Sequence, residues 1–256
     1  MRFMRLSFTL SKMNGDKMDN KNLEIDWLYN EYTHVGVNFN DIKQIELYEK
    51  YNKSEEQKEK EVKFISQKIN LNQEHILLDV GTGTGCIAIE LAKRCKKIYA
   101  IDISKEMISQ AKKNAKEHGV DNIVFCCSGF LNYKHKGESI DSIISQVTLH
   151  HLPDFWKMVA IEHMYSILKF GGTFCLSDTA ISINMKEYKK CIDQYILSIR
   201  KKLNPVMAEN IKLNIQQEYP TFDWVLIEMI KRVGFIIKDI VYHDKYFATF
   251  TCKKHE

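Results

Sequence analysis

The residues best suited to chemistry lie in one run, Ile76-Leu77-Leu78-Asp79-Val80-Gly81-Thr82-Gly83-Thr84-Gly85-Cys86-Ile87-Ala88-Ile89-Glu90. A short apolar stretch carrying one carboxylate breaks into three alternating glycines before a helical pattern begins at Cys86, which predicts a buried strand, a tight loop and a helix N-terminus. Glycines let the backbone turn sharply and approach a ligand, and the first amides of the helix face whatever sits above the strand end. The loop is therefore expected to cradle a small molecule. Glycines at 81, 83 and 85 do not have the G-x-G-x-x-G spacing of a dinucleotide cradle, and no lysine follows as in a phosphate loop. Asp79 would repel a bare pyrophosphate in a partly dry cleft, so a ligand bearing cationic groups suits the loop better.

Leu77 to Glu90 resembles the first motif of class I methyltransferases that use S-adenosyl-L-methionine, a cofactor with a sulfonium and an amino-acid end. Further along, Ile98-Tyr99-Ala100-Ile101 reads as a second buried strand that ends on Asp102. A carboxylate roughly twenty residues beyond the glycines is where an adenosine ribose presents two hydroxyls. Ser104 also offers a helix cap there. Ile123 to Cys127 forms a third strand, followed by Ser128-Gly129-Phe130. Related methyltransferases often carry an Asp at this strand end for the adenine amino group; here Ser128 and Gly129 stand nearest, and Phe130 is expected to cover the ring face. The cofactor-binding set implied by the resemblance is Asp79, Gly81, Thr82, Gly83, Gly85, Asp102, Ile103, Met107, Ser128, Gly129, Phe130 and Gln146.

A fourth strand, Ser139 to Ser145, runs into Gln146-Val147-Thr148-Leu149-His150-His151. Ligands of open parallel sheets sit outside the carboxyl ends of the strands, so Ser145 to His151 should border the reacting centre. Leu149 to Lys157 and Lys169 to Phe174 resemble a group of little-characterised bacterial methyltransferases, as do His34 to Phe39 and Glu46 to Tyr48. His150 is the first candidate for a proton acceptor, because imidazole titrates near neutrality. A metal site is not expected, since adjacent histidine side chains generally diverge and a metal needs further ligands. The Asn/Asp-Pro-Pro-aromatic sequence of common nucleic-acid amino-methylating enzymes is absent after this strand. A small-molecule acceptor is favoured.

The elements that must position these residues follow from composition and period. With 256 residues, 45% of them hydrophobic, the chain can bury a large core. The net charge of +4 comes from interspersed lysines and acids, not from a concentrated nucleic-acid footprint. Seven cysteines without a C-x-x-C pair read as reduced thiols of a cytoplasmic protein, and no run reaches the ~18 apolar residues of a membrane helix. Residues 1–17 are read as a disordered leader and 18–256 as one domain. Leu23 to Tyr32 and Asp41 to Lys68 carry helical periodicity, with a new helix starting at Ser54, so residues 18–75 form a helical cap; His34, Tyr48 and Tyr51 are its candidate lid residues. The helix opened by Pro153-Asp154 is expected to end at Gly171-Gly172. Residues 184–218 form a helical insertion broken at Pro205 and placed as a substrate lid, and Trp224 to Val233 is a last helix before a hairpin of Ile236 to Tyr242 and Tyr246 to Cys252.

The expected fold is α/β, a Rossmann-like doubly wound sheet, mostly parallel with a C-terminal antiparallel hairpin and helices on both faces. The expected function is an S-adenosyl-L-methionine-dependent methyltransferase acting on a small molecule. A non-catalytic cofactor-binding protein and an RNA or protein methyltransferase are the alternatives, with an NAD-dependent oxidoreductase behind them.

Overall fold

The computed structural model describes residues 27–33, 35–50, 54–202 and 205–255. The leader, His34 and Tyr51 lie outside these residues. Residues 27–33 form turns, not the helix expected over Leu23 to Tyr32. The side chain of Asn30 explains this, because its Oδ1 accepts from the Tyr32 amide at 3.1 Å and its carbonyl accepts from Thr33, which offers the backbone a turn in place of a helix. The aromatics of the segment pack on Trp156 instead, with Trp27 and Tyr29 stacked at 6.4 and 5.9 Å between ring centroids.

The helices α1 (Ile42–Lys50) and α2 (Glu55–Ile69) follow. Ser54 caps α2 in a reciprocal box: its hydroxyl accepts from the Gln57 amide, and Gln57 Oε1 accepts from the Ser54 amide at 3.0 Å. Strands and helices then alternate through β1 (Ile76–Val80), α3 (Cys86–Ala92), β2 (Lys97–Asp102), α4 (Lys105–Glu117), β3 (Ile123–Cys127), β4 (Ile140–Gln146), α5 (Asp154–Ile167) and β5 (Leu168–Ile181). The insertion comprises α6 (Tyr188–Lys202) and α7 (Pro205–Gln217), with Pro205 at the first position of α7, where its missing N–H costs nothing. The chain closes with β6 (Thr221–Phe222), α8 (Asp223–Val233), β7 (Phe235–Tyr242) and β8 (Phe247–Lys254).

The main sheet runs β3-β2-β1-β4-β5-β8-β7, with β6 beside the far end of β5. β1 to β5 pair in parallel and β8 is antiparallel to both neighbours. Alternate residues of each strand serve opposite faces. Leu78, Tyr99 and Ile143 pack towards α5 and α8, and Leu77, Ile98 and Ile144 towards α2 and α3. The helix after Pro153 ends at Ile167 and Gly171-Gly172 lie inside β5. A register shift opposite Ile140 to Ser142 absorbs the glycine turn, where Gly171 has φ +70°. Among the described residues no helix is long and apolar enough to cross a membrane.

Candidate active site at the carboxyl edge of the sheet

β1 is buried throughout and carries Asp79 towards the glycine loop. Burial pushes the Asp79 carboxyl up to about 7, and the charge of Asp102 adds to the rise. Gly81, Gly83 and Gly85 have φ of +78°, +55° and +79°, a left-handed backbone that side chains disfavour. The amides of Gly81 and Thr82 both bond the Ile101 carbonyl, at 2.8 and 3.0 Å, so the loop is tied back to the end of β2. Asp102 accepts from the Gly83 amide and the Ser104 amide, each at 2.9 Å. Ser104 caps α4 by accepting from the Met107 amide, and its hydroxyl donates to the Phe39 carbonyl at 2.8 Å. Met107 is buried on α4. Above the loop stands Tyr48 of α1, whose hydroxyl is 3.7 Å from the point a Gly83 Cβ would occupy.

Next to Asp102, Ile103 and Cys127 line a cavity of about 540 Å³ together with Tyr32, Asn40, Lys105 and Glu106. Ser128 is buried and its amide donates to the Asp102 carbonyl. Gly129 meets Glu31 of the N-terminal segment, since a Cβ there would fall 2.3 Å from Glu31 Oε2. Glu31 accepts from the Leu131 amide at 3.0 Å, the Asn132 amide at 2.9 Å and Asn132 Nδ2 at 2.7 Å. Phe130 is 3% exposed and belongs to the core below, so its ring does not line this cavity.

At the end of β4, Gln146 Nε2 donates to Glu61 of α2 at 2.6 Å. Val147 follows with φ +52°, rare for a β-branched residue, and its amide bonds the Ser177 carbonyl. Thr148 lies against Gly81. Asp178 of β5 accepts from the Thr148 and Leu149 amides at 3.0 and 2.7 Å and from His150 Nδ1 at 2.7 Å. The opposite nitrogen, His150 Nε2, is 3.1 Å from Glu218 Oε2. Burial alone would discharge this ring, but the carboxylates of Asp178 and Glu218 outweigh it and lift its pKa to about 9. Both ring nitrogens of His150 thus face carboxylates, an arrangement that favours its protonated form. The neighbouring His151 goes the other way, lowered to about 4 by burial and by the charge on His150.

Glu218 escaped the sequence because it lies on the far side of the insertion. The pairing of β6 with the Ala180-Ile181 end of β5 brings it back. The Tyr219 amide donates to the His150 carbonyl at 2.9 Å, the Tyr219 carbonyl accepts from buried Lys157, and Thr221 Oγ1 bonds Asp154 at 3.2 Å. Glu31 and Lys157 likewise carry no signal of their own in the sequence, and Thr148 stands out only as part of the Ser145 to His151 run. Asp178 lies in β5 and lacks the fixed step from the glycines that picked out Asp102.

The left-handed cradle at Gly83, the carboxylate at Asp102 and the adjoining cavity fit a cationic adenosyl ligand. Residues 71–223 match the family profile described as Methyltransferase domain. The carboxy-S-adenosyl-L-methionine synthase of Nautilia profundicola is 30% identical over 189 residues, covering 72% of this chain and 79% of that protein. The ubiquinone biosynthesis O-methyltransferase of Coxiella burnetii is 32% identical over 127 residues, half of this chain and 52% of its own length. The fold matches that of the N-methyltransferase NodS from Bradyrhizobium japonicum, solved with S-adenosyl-L-homocysteine, with a TM-score of 0.58 and 15% identity over 84% of this chain and 98% of the other. On this evidence the chain belongs to the S-adenosyl-L-methionine-dependent methyltransferases of the class I, Rossmann-like fold.

Proposed function

We propose that the chain moves a methyl group to a small-molecule acceptor held between the glycine loop, the β4–α5 connection and the segments that cover them. The observation that carries this reading is the covering itself: Tyr48 lies over Gly83, Glu31 closes on Gly129, and Glu218 of the insertion reaches His150. Such a site suits a compact acceptor better than a polymer laid along an open groove. The names of the two relatives, which concern ubiquinone biosynthesis and a modified cofactor, support the same class.

Asp79, the left-handed backbone of the glycine loop, Asp102, Ile103 and Ser128 would hold the cofactor, with Gly129 and Gln146 at its margins. When bound, S-adenosyl-L-methionine supplies an electrophilic methyl group on sulfur. The protein then acts mainly by proximity, holding the acceptor in line and excluding water. His150 contributes as a positioning residue: its two bonds tie the β4–α5 turn to β5 and to the insertion. The seven free thiols support a cytoplasmic setting.

A thermal melt with S-adenosyl-L-methionine, S-adenosyl-L-homocysteine or NAD tests the cofactor set. At one hundred times Kd a ligand adds about 2.7 kcal/mol, a rise of roughly 5–10 °C in a chain of this size. Stabilisation by the two adenosyl compounds alone, lost in Asp102→Ala, is expected; stabilisation by NAD, or none, would overturn it. Mass spectrometry of candidate acceptors then seeks the gain of one methyl. A new cofactor mass without any acceptor would favour the second reading, raised by the Nautilia relative, in which the cofactor itself is modified.

A further inference from the structure

Adjacent histidines usually point apart, but in the 3₁₀ turn Leu149–His151 they do not. The rings of His150 and His151 lie 4.4 Å apart between centroids and 38° from parallel. Glu218 faces both, with Oε2 3.1 Å from His150 Nε2 and Oε1 3.9 Å from His151 Nδ1. One ligand atom from each of the three residues lies within 4.8 Å of the others. We propose that His150, His151 and Glu218 form a site for a divalent transition-metal ion of the zinc class.

The ligand set fits that class. Two imidazoles and one carboxylate are a recurrent zinc set, and they leave a fourth position for water or an acceptor oxygen. Ligand atoms around tetrahedral zinc, at bonds of about 2.1 Å, stand about 3.4 Å apart, so the 3.1 Å pair opens slightly and the widest separation, within 4.8 Å, closes by up to about 1.4 Å. The surroundings are those that ligands require. Asp178 accepts from His150 Nδ1 at 2.7 Å, which fixes the tautomer and turns Nε2 towards Glu218. Asn214 Nδ2 donates to Glu218 Oε2 at 2.6 Å, and His151 hydrogen-bonds the Val35 backbone. A metal ion would take the place of the direct contact between His150 Nε2 and Glu218. The two carboxylates, Glu218 and Asp178, would compensate its charge in a setting where both are buried.

The test uses the full chain, dialysed against a chelator and then titrated with zinc chloride or cobalt(II) chloride alone. Omitting S-adenosyl-L-methionine separates this site from the cofactor reading, which could fail without touching it. The wild type is expected to retain close to one metal per chain after desalting and to give the intense visible bands of tetrahedral cobalt. His151→Ala and Glu218→Gln should each weaken binding at least tenfold, whereas His118→Ala, at an exposed histidine, should leave it unchanged. Equal binding in wild type and both variants, or no retained metal in the wild type, overturns the site. If the variants unfold, diethyl pyrocarbonate labelling of the wild type decides. Protection of His151 by zinc upholds the proposal and undiminished labelling refutes it.

Discussion

The hydroxyl of Thr148 fills the space that a side chain at Gly81 would need, since a Cβ there would lie 2.1 Å from Thr148 Oγ1. The end of β4 is thereby locked onto the first glycine of the loop. Gly81 also has φ +78°, so Gly81→Ala combines backbone strain with a clash and should cost about 2–4 kcal/mol. Gly83→Ala has only ordinary contact with Tyr48 and should cost about 1 kcal/mol. Urea unfolding of the two variants checks the order; a reversed order would mean that the loop and the β4 end are not packed as described.

Glu31 anchors the N-terminal segment. Its carboxylate is buried and receives two backbone amides and one side-chain amide of Leu131 and Asn132. Glu31→Ala leaves those donors without their acceptor and should cost about 2–4 kcal/mol, with faster chymotrypsin cleavage at Tyr29 or Tyr32. Glu31→Gln keeps one acceptor oxygen and should lose less. Unchanged cleavage in the alanine variant would show that the segment is held by other contacts.

Lys157 is 1% exposed, with its ammonium on Asp154 at 2.7 Å and on the Tyr219 carbonyl. Burial lowers its pKa, opposed by Asp154. Its aliphatic stem is core packing as much as its charge is a tie. Lys157→Met should therefore cost about 1 kcal/mol and Lys157→Ala about 3 kcal/mol, read by denaturant midpoints. Equal losses would place the whole effect in the charge.

Asp79 makes stability depend on pH. Its folded pKa is raised from 3.8 to about 7, so the folded protein holds a proton that the unfolded chain releases. The contribution is complete below pH 4 and is lost as pH rises to about 7, at up to about 1.4 kcal/mol per pH unit. Asp79→Asn cannot ionise and removes this slope. The difference in unfolding free energy between wild type and Asp79→Asn, followed from pH 4 to 8, should change across that window and flatten above it. A difference that stays level throughout would place the Asp79 pKa at its ordinary value.

The local part of this protein is written in its local sequence. Strand, glycine loop and helix at 76–92 follow from apolar runs punctuated by glycine, and the box at Ser54 and Gln57 and the stop at Gly234 follow from capping chemistry. Asp79 and Asp102 could be singled out because each stands at a fixed step from those glycines. Residues 27–33 and Gly171-Gly172 departed from expectation where a local rule met a competitor, an Asn30 turn in one case and a register shift in the other.

What only the tertiary structure decided is which distant side chains meet. Glu218 joins His150 because β6 pairs with the end of β5, Glu31 reaches Gly129 because a turn docks on the β3 end, and Thr148 meets Gly81 because β4 lies beside β1. Each of these contacts crosses at least 67 positions of the chain, far beyond the reach of helical or strand periodicity. They alter chemistry as well as packing. The sequence offers His150 as a lone imidazole, and two carboxylates brought from elsewhere face both of its ring nitrogens.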